Sequence, residues 1–386
     1  MIDELRDKIG VSFEHRVHFG RDVLDPGNRL LAACLAGGTG VLAFVDTGLL
    51  RHWPGLGERV EHYLVAHGLR VAGPVQRVPG GEHCKNDPAE LERVLEAINA
   101  AGLDRHSQIL VLGGGAVLDC VGFAAAVAHR GIRLVRMPST TLAQGDSGVG
   151  VKNGVNRFGK KNYLGSFAVP TAVINDEQLL TTLPTRHWRS GFSEAVKVAL
   201  LKDATLLERI ERDAGAIDAR DMRRARPVLR RAAALHMRHI VDAGDAFELG
   251  SARPLDFGHW SAHRLEQVTA YALTHGEAVA IGIALDVTYA EFARLLPGRV
   301  AERVRRCLLH LSLPIFHDRL RDTASLMHGL EEFREHLGGE LTIPMLRDVG
   351  QPVDVHEIDP ELIEQAVALL MAQHSGVAGR VGSEAQ

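Results

Sequence analysis

The sequence is poor in cysteine and in aromatic residues. Its four cysteines, Cys34, Cys84, Cys120 and Cys307, are scattered and form no Cys-x-x-Cys pair. That argues against a zinc ribbon and a disulfide framework, and fits a reducing compartment. No stretch long enough to span a bilayer lacks charges. The start, Met-Ile-Asp-Glu-Leu-Arg-Asp-Lys, has no signal-peptide apolar core. A cytoplasmic protein with no membrane partner is therefore expected. The formal net charge is −4, so no global basic field exists to hold nucleic acid. Repeats of solenoid length, low-complexity blocks and the dinucleotide fingerprint Gly-x-Gly-x-x-Gly are also missing.

What is present is an ordinary globular composition, with 46% hydrophobic and 24% charged residues over 386 positions. That length suits two domains better than one. The 20 histidines make metal or proton chemistry worth looking for. Three short apolar runs, Val41 to Val45, Ile109 to Leu112 and Leu134 to Met137, each end at turn-forming residues. The first two lead into helical patterns, which predicts strands in a parallel α/β sheet. From about Glu177 the chain turns to Arg/Ala/Leu/Glu-rich stretches such as Arg220 to Val241, which predict a mostly helical second half. A boundary is expected near residues 170–180. The Gly-rich tail from Ser375 is expected to fray.

Gly113-Gly114-Gly115 follows one of these strands and opens a helix carrying Asp119. Glycines there let backbone N–H groups approach a pyrophosphate at a helix N-terminus, or simply make a tight turn. Asp46, at the end of the preceding strand, can bind a ribose diol or cap a helix. From Pro138 to Pro170 runs a block rich in short polar and cationic groups among glycines. It includes Ser139, Thr140, Thr141, Gln144, Asp146, Lys152, Asn153, Asn156, Lys160, Lys161 and Asn162. Such a block suits a phosphate or polyol ligand and otherwise reads as a long solvated loop. Glu194 and Lys197 are three apart on a predicted helix and share a face. One glutamate and two of the histidines His259, His263 and His275 could give three ligands to a catalytic zinc. Spacing alone does not choose among them, and it would first pair His259 with His263.

Taken together these segments resemble the dehydroquinate synthase superfamily, the sugar-phosphate cyclases, from about Asp46 to Gly350. The resemblance is carried by Pro79-Gly80-Gly81-Glu82 with Lys85, the triple glycine with Asp119, Arg130-Gly131, and Pro138-Ser139-Thr140-Thr141-Leu142-Ala143-Gln144 with Asp146. It continues through Gly154-Val155-Asn156, Lys161-Asn162, Leu183-Pro184, Glu194 with Lys197, Phe257-Gly258-His259 and His275-Gly276-Glu277. It implies an N-terminal dinucleotide-binding α/β domain (1–175) and a mostly α-helical metal- and substrate-binding domain (176–386), with the site in the cleft. It implies NAD held by Asp46, Glu82, Lys85, Gly114, Gly115, Asp119, Ser139, Thr140 and Thr182. It implies a metal triad of Glu194, His259 and His275 for zinc or cobalt. Catalytic roles then fall to Lys152, Lys197, His263 and Asp146. Substrate contacts fall to Arg130, Lys161, Asn162, Arg238, Asp256 and His336. Members are usually homodimers, so a homodimer is expected.

Departures from the synthase pattern point to the substrate. Asp256 stands where dehydroquinate synthases have Asn, Ala252 where an Arg is typical, and Phe333-Arg334-Glu335-His336 in the region of a C-terminal Asp-Lys-Lys. Loss of lysines disfavours a carboxylate-bearing sugar. The Asp, the Arg-Glu-His segment and Gly150 to Asn156 are similar to cyclases that turn sedoheptulose 7-phosphate into valiolone-type cyclitols. Of their two products, 2-epi-valiolone is favoured over 2-epi-5-epi-valiolone on His263 and the run from Asp256 to His263. His187 and Arg238 also depart from the synthase pattern. The alternatives are 3-dehydroquinate synthase itself and a metal-dependent polyol dehydrogenase of the glycerol dehydrogenase type.

Overall fold

A computed structural model of the chain describes residues 4–242, 255–336 and 341–383, with the side chains of 335–336 and 375–383 outside the description. The first half holds β1 (Val17–Gly20), α1 (Leu30–Cys34), β2 (Val41–Asp46), α2 (Thr47–His52), α3 (Leu56–Ala66) and β3 (Gln76–Val78). These are followed by α4 (His83–Asn86), α5 (Pro88–Ala100), β4 (Gln108–Gly113), α6 (Gly115–Val127), β5 (Arg133–Pro138) and α7 (Thr141–Gly145). Then come β6 (Lys152–Arg157), β7 (Lys160–Phe167) and β8 (Ala172–Asp176). The second half holds α8 (Thr185–Lys202), α9 (Ala204–Asp218), α10 (Met222–Asp242), α11 (His259–Val268), α12 (His275–Phe292) and α13 (Gly298–His310). It closes with α14 (Thr323–His336), β9 (Ile343–Asp348), β10 (Gln351–Val355) and α15 (Pro360–Ser383).

The strands β1-β8-β5-β4-β2-β3 form one parallel sheet in that order. Helices cover both faces, so the central strands are apolar throughout. In β2, Val41, Ala43 and Val45 pack into one core while Leu42 and Phe44 pack into the other. All three strands expected from the apolar runs are present. From β2 the chain moves to β3 on one side, then returns past β2 to build β4, β5 and β8 on the other. The carboxyl ends of β2 and β4 therefore flank a topological switch point, where open α/β sheets bind ligands. Asp46 and Gly113 are the last residues of those two strands.

One expectation is corrected here. The block from Pro138 to Pro170 is not one long loop, because it folds into α7 and an antiparallel hairpin of β6 and β7. The hairpin turns at Phe158 and Gly159, both with positive φ (54° and 72°), the backbone of the tight turns that match strand twist. The second half is mostly helical, as expected, and also holds a second hairpin of β9 and β10. Its β9 is apolar enough to enter the C-terminal core through Ile343, Met345 and Leu346. The helix α15 also continues as far as Ser383, through the start of the tail expected to fray.

β8 ends at Asp176, and the helical half follows with its own large core. The helix α8 bridges the halves. A Cβ on its Gly191 would lie 2.1 Å from the backbone nitrogen of Leu142 in α7, and one on Gly276 of α12 would lie 2.0 Å from the carbonyl oxygen of Ser190. Only glycine permits these approaches. They bring Glu194, one turn further along α8, to the edge where the sheet meets the helical domain.

Candidate active site

At the switch point the Asp46 carboxylate accepts from the N–H of Gly48 at 2.7 Å, capping α2, and its other oxygen lies 3.5 Å from the N–H of Gly114. The helix-cap reading of Asp46 is therefore observed, and the same carboxylate lies beside the glycine turn. Burial pushes its carboxyl above the usual range. Gly114 is the N-cap of α6 and Gly115 its first residue. Ser139 is buried, and its N–H donates to the Gly113 carbonyl. Thr140 caps α7 by accepting from the N–H of Ala143. Thr182 is half-buried in the turn before α8. His187, on α8, is held below its ordinary pKa by burial and then by Arg186, against the opposing pull of the Glu277 and Asp46 carboxylates.

Beside the glycine turn, Lys85 is buried and donates to Asp119 at 2.8 Å and to the side-chain oxygen of Asn162 at 2.5 Å. Burial opposes its charge, but Asp119 and Glu82 outweigh it and hold its pKa above the ordinary value. Glu82 accepts from Asn156 at 2.8 Å. Burial alone would raise its carboxyl, yet Lys161 and Lys85 leave it below the usual range. Residues expected to hold the nucleotide (Glu82, Lys85, Asp119) thus share one network with a residue expected to hold substrate (Asn162). Arg136, fully buried in β5, donates to the carbonyls of Gly148, Gly150 and Lys152 and to the Asn153 side chain. It ties the segment from Asp146 to β6 onto the sheet, and burial lowers its pKa to about 10. Lys152 is exposed at the start of β6.

Across the cleft, one oxygen or nitrogen of each of Glu194, His259 and His275 lies within 4.8 Å of the others. The Nε2 atoms of His275 and His259 stand 3.3 and 3.5 Å from one Glu194 oxygen. Lys197 Nζ is 2.6 Å from the other. Glu194 is buried, and neither of its oxygens has a well-formed hydrogen bond. A buried carboxylate left so and facing two imidazole nitrogens fits a divalent metal ion. Its pKa lies well below normal, because Lys197 and the two histidines outweigh burial. The remaining ring nitrogens are oriented: His259 Nδ1 faces the Phe257 carbonyl at 3.1 Å and His275 Nδ1 faces Glu266 at 3.1 Å. Such outer partners fix the tautomer that offers Nε2 to a metal.

Sequence reasoning missed Glu266. It is buried on α11 and binds Lys161 through both oxygens at 2.7 and 2.9 Å as well as His275. A signal was available, since His259, His263 and Glu266 fall on one helical stripe at i, i+4 and i+7. Lys161 therefore joins the β6–β7 hairpin to the metal helix. His263, 5.4 Å from the His259 ring, is driven well below its ordinary pKa by burial and then by Lys161, so it is neutral at pH 7. Sequence reasoning also missed His236, whose Nδ1 is 3.0 Å from Asp146. It continues the buried stripe Val228, Leu229, Ala232, Leu235 of α10. Burial would raise the Asp146 carboxyl, but His236 helps hold it low.

Asp256 precedes α11 and is half-buried. Gly258, not Asp256, is the N-cap of that helix. Its carboxylate is close enough to contribute, after Glu194 and Asp146, to holding the buried Lys197 ammonium charged. Two expected substrate residues are not brought in. Arg130 is exposed at the amino end of β5, opposite the Ser139 end, a strand length of about 20 Å away. Arg238 is exposed and lies two residues past His236 on α10, about 200° around the helix. His336 ends α14, and its side chain lies outside the described residues.

A parallel nucleotide-type sheet with its switch point turned toward a buried Glu-His-His cluster defines an α/β nucleotide-binding domain joined to a helical metal domain. Residues 75–190 match 3-dehydroquinate synthase N-terminal and residues 191–332 match 3-dehydroquinate synthase C-terminal. The chain belongs to the dehydroquinate synthase family. It is 35% identical over 347 residues to a 2-epi-5-epi-valiolone synthase of Streptomyces glaucescens, covering 90% of this chain and 88% of that one. It is 33% identical over 377 residues to a 3-dehydroquinate synthase of Paracoccus denitrificans, covering 95% and 99%. Among solved structures it resembles ValA, a 2-epi-5-epi-valiolone synthase from Streptomyces hygroscopicus subsp. jinggangensis with NAD+ and Zn2+ bound. The TM-score is 0.88 at 29% identity, over 96% of this chain and 100% of that one.

Proposed function

We propose that this chain is an NAD- and divalent-metal-dependent cyclase that converts sedoheptulose 7-phosphate into a valiolone-type cyclitol with release of phosphate. The observation that supports the reading is Asp256, half-buried three residues before His259 and near enough to Lys197 to help keep its ammonium charged. A carboxylate there accepts hydrogen bonds from sugar hydroxyls and repels a substrate carboxylate. At an effective dielectric near 20, two charges ~4 Å apart repel by about 4 kcal/mol. A hydroxyl in the same place gains about 1.5–3 kcal/mol. Two of the similar proteins are named 2-epi-5-epi-valiolone synthase. They move the proposed product to 2-epi-5-epi-valiolone, from the 2-epi-valiolone favoured on sequence.

Asp46 and the Gly114–Gly115 turn would hold NAD, with Glu82, Lys85 and Asp119 beside them. Glu194, His259 and His275 would hold zinc or cobalt. Bound NAD would take and return a hydride, and the metal would lower the pKa of a substrate hydroxyl. Lys197 and Asp146 then orient the carbon being oxidised. Asn162 and the Lys161 ammonium hold phosphate or neighbouring hydroxyls, together with Lys152. His263, neutral and half-buried near Lys161, is poised to accept a proton on the phosphate side. We place the protein in the cytoplasm, as a homodimer.

The likeness to the Paracoccus enzyme favours a second reading, 3-dehydroquinate synthase. Phosphate release from sedoheptulose 7-phosphate and from the heptulosonate phosphate separates the two, with wild type and Asp256→Asn. We expect wild type to prefer the sedoheptulose by thirtyfold or more in kcat/KM, which is about 2 kcal/mol, and Asp256→Asn to narrow the gap. NADH absorbance should not accumulate. Equal turnover of both sugars would remove the substrate assignment, and stoichiometric NADH would favour a polyol dehydrogenase.

A further inference from the structure

One buried carboxylate has no part in the chemistry above. Asp286 lies on α12, three turns beyond His275, and is fully buried. Its two oxygens are divided between two donors: Oδ2 accepts from the backbone N–H of Gly258 at 2.7 Å and Oδ1 from the indole Nε1 of Trp260 at 2.9 Å. Among the described residues no lysine, arginine or histidine pairs with it. A lone carboxylate in a dry core is costly, so a fold that keeps one has a geometric use for it.

The two donors come from the residues on either side of His259. Gly258 is left-handed, with φ 75°, and a Cβ added to it would lie 2.8 Å from the Ile283 nitrogen on α12. A Cβ on Gly282 would lie 2.0 Å from the Gly258 carbonyl oxygen. The turn into α11 is thus pressed against α12, one helical turn before Asp286. His259 itself is steered by the Phe257 carbonyl at Nδ1. Residues 257, 258 and 260 are all tied down, and His259 between them points Nε2 at Glu194.

We infer that Asp286 is a positioning residue for the metal site: by clamping Gly258 and Trp260 it sets His259 relative to His275, which rides on the same helix as Asp286. The inference rests on the metal reading of Glu194, His259 and His275. The geometry requires a carboxyl group with two acceptor oxygens. Both neighbours are donors, so the group between them needs two acceptor atoms and no N–H. Asparagine offers one acceptor and sets an NH2 against the other donor, although its size is the same. Trp260→Phe removes one donor and leaves the Gly258 bond and most of the packing.

The test is zinc affinity of the metal-stripped full chain, measured by competition with a chromophoric chelator, alongside NAD affinity and the visible spectrum of the cobalt-loaded protein. Wild type should bind zinc, and His275→Ala should lose it. Asp286→Asn should bind zinc 10–100-fold more weakly, the range found when a ligand's outer partner is lost, with NAD affinity unchanged and a cobalt spectrum altered in shape. Trp260→Phe should lose only a few-fold, and it serves if Asp286→Asn does not fold. Wild-type zinc affinity and cobalt spectrum in folded Asp286→Asn would overturn the inference and leave the metal site standing. So would parallel losses of zinc and NAD binding, which mark a general loss of structure. A wild type that binds no zinc would instead overturn the metal reading, and this inference with it.

Discussion

At the scale of the residue, the site is a set of charges that burial alone would neutralise and that neighbours keep ionised. Lys85, Lys161 and Lys197 are each opposed by burial and each held charged by carboxylates. Asp286 shows what happens without such a partner. Burial lifts its pKa from 3.8 to about 7, with only Trp260 and Gly258 opposing, and the nearby Tyr289 phenol is itself neutral at that pH. The sign follows from linkage. Well below pH 3.8 the carboxyl is protonated in both folded and unfolded chains and contributes nothing. As pH rises toward 7 the unfolded chain ionises first, so the folded state loses stability, by at most about 4 kcal/mol. Asparagine does not titrate. Asp286→Asn should therefore gain stability relative to wild type between pH 4.5 and pH 8, read by urea unfolding at both pH values. A stability difference that stays constant across that range would show that Asp286 does not titrate there. This gain would accompany weaker zinc binding, a separation of stability from function often seen at sites.

At the scale of the element, α11 does more than carry one ligand. His259, His263 and Glu266 line one face of it, and Glu266 ties Lys161 of the β6–β7 hairpin to His275 of α12. Glu266→Gln should weaken zinc binding 10–100-fold. It should also lower the His275 pKa, which stands at about 9 because Glu266 and Glu194 together outweigh burial. Zinc titration and NMR of the imidazole in the metal-free protein would measure both, and an unmoved His275 titration would sink the coupling. The stripe was legible at helical spacing once the helix was known. The hairpin was harder to see. Every residue of β7 is at least partly exposed, so no alternation of polar and apolar residues announced it. Its turn at Phe158-Gly159 lacks the Asn-Gly or Asp-Gly pair that usually marks one.

At the scale of the whole molecule, the sheet's switch point and the helical core meet along α8, α7 and α12, where glycines allow close backbone contact. The nucleotide half leaves Phe158, Tyr163 and Phe167 exposed on the hairpin. Uncovered aromatics of this kind are common where another chain docks, which supports the proposed homodimer. Light scattering at micromolar concentration should give twice the 41.9 kDa chain mass, and a strictly monomeric mass would count against it. Among the described residues no helix is long and apolar enough to cross a membrane.

The sequence by itself determined the local order: apolar strands ending in Asp46, Gly113 and Pro138, the helices that follow, and the residue types of the proposed metal and phosphate site. These are legible because strand and helix periodicity and turn chemistry act over a few residues. Resemblance to a known family picked Glu194, His259 and His275 from 20 histidines and many acids, since spacing across three helices could not. Tertiary structure alone decided that His236, not Arg238, faces Asp146, and that Arg130 stands a strand length from its own chain's cleft. It alone decided that Asp286 clamps the turn before α11. The reason is physical: each depends on the rotation of a helix or the end of a strand, and those are set by packing between segments dozens of residues apart.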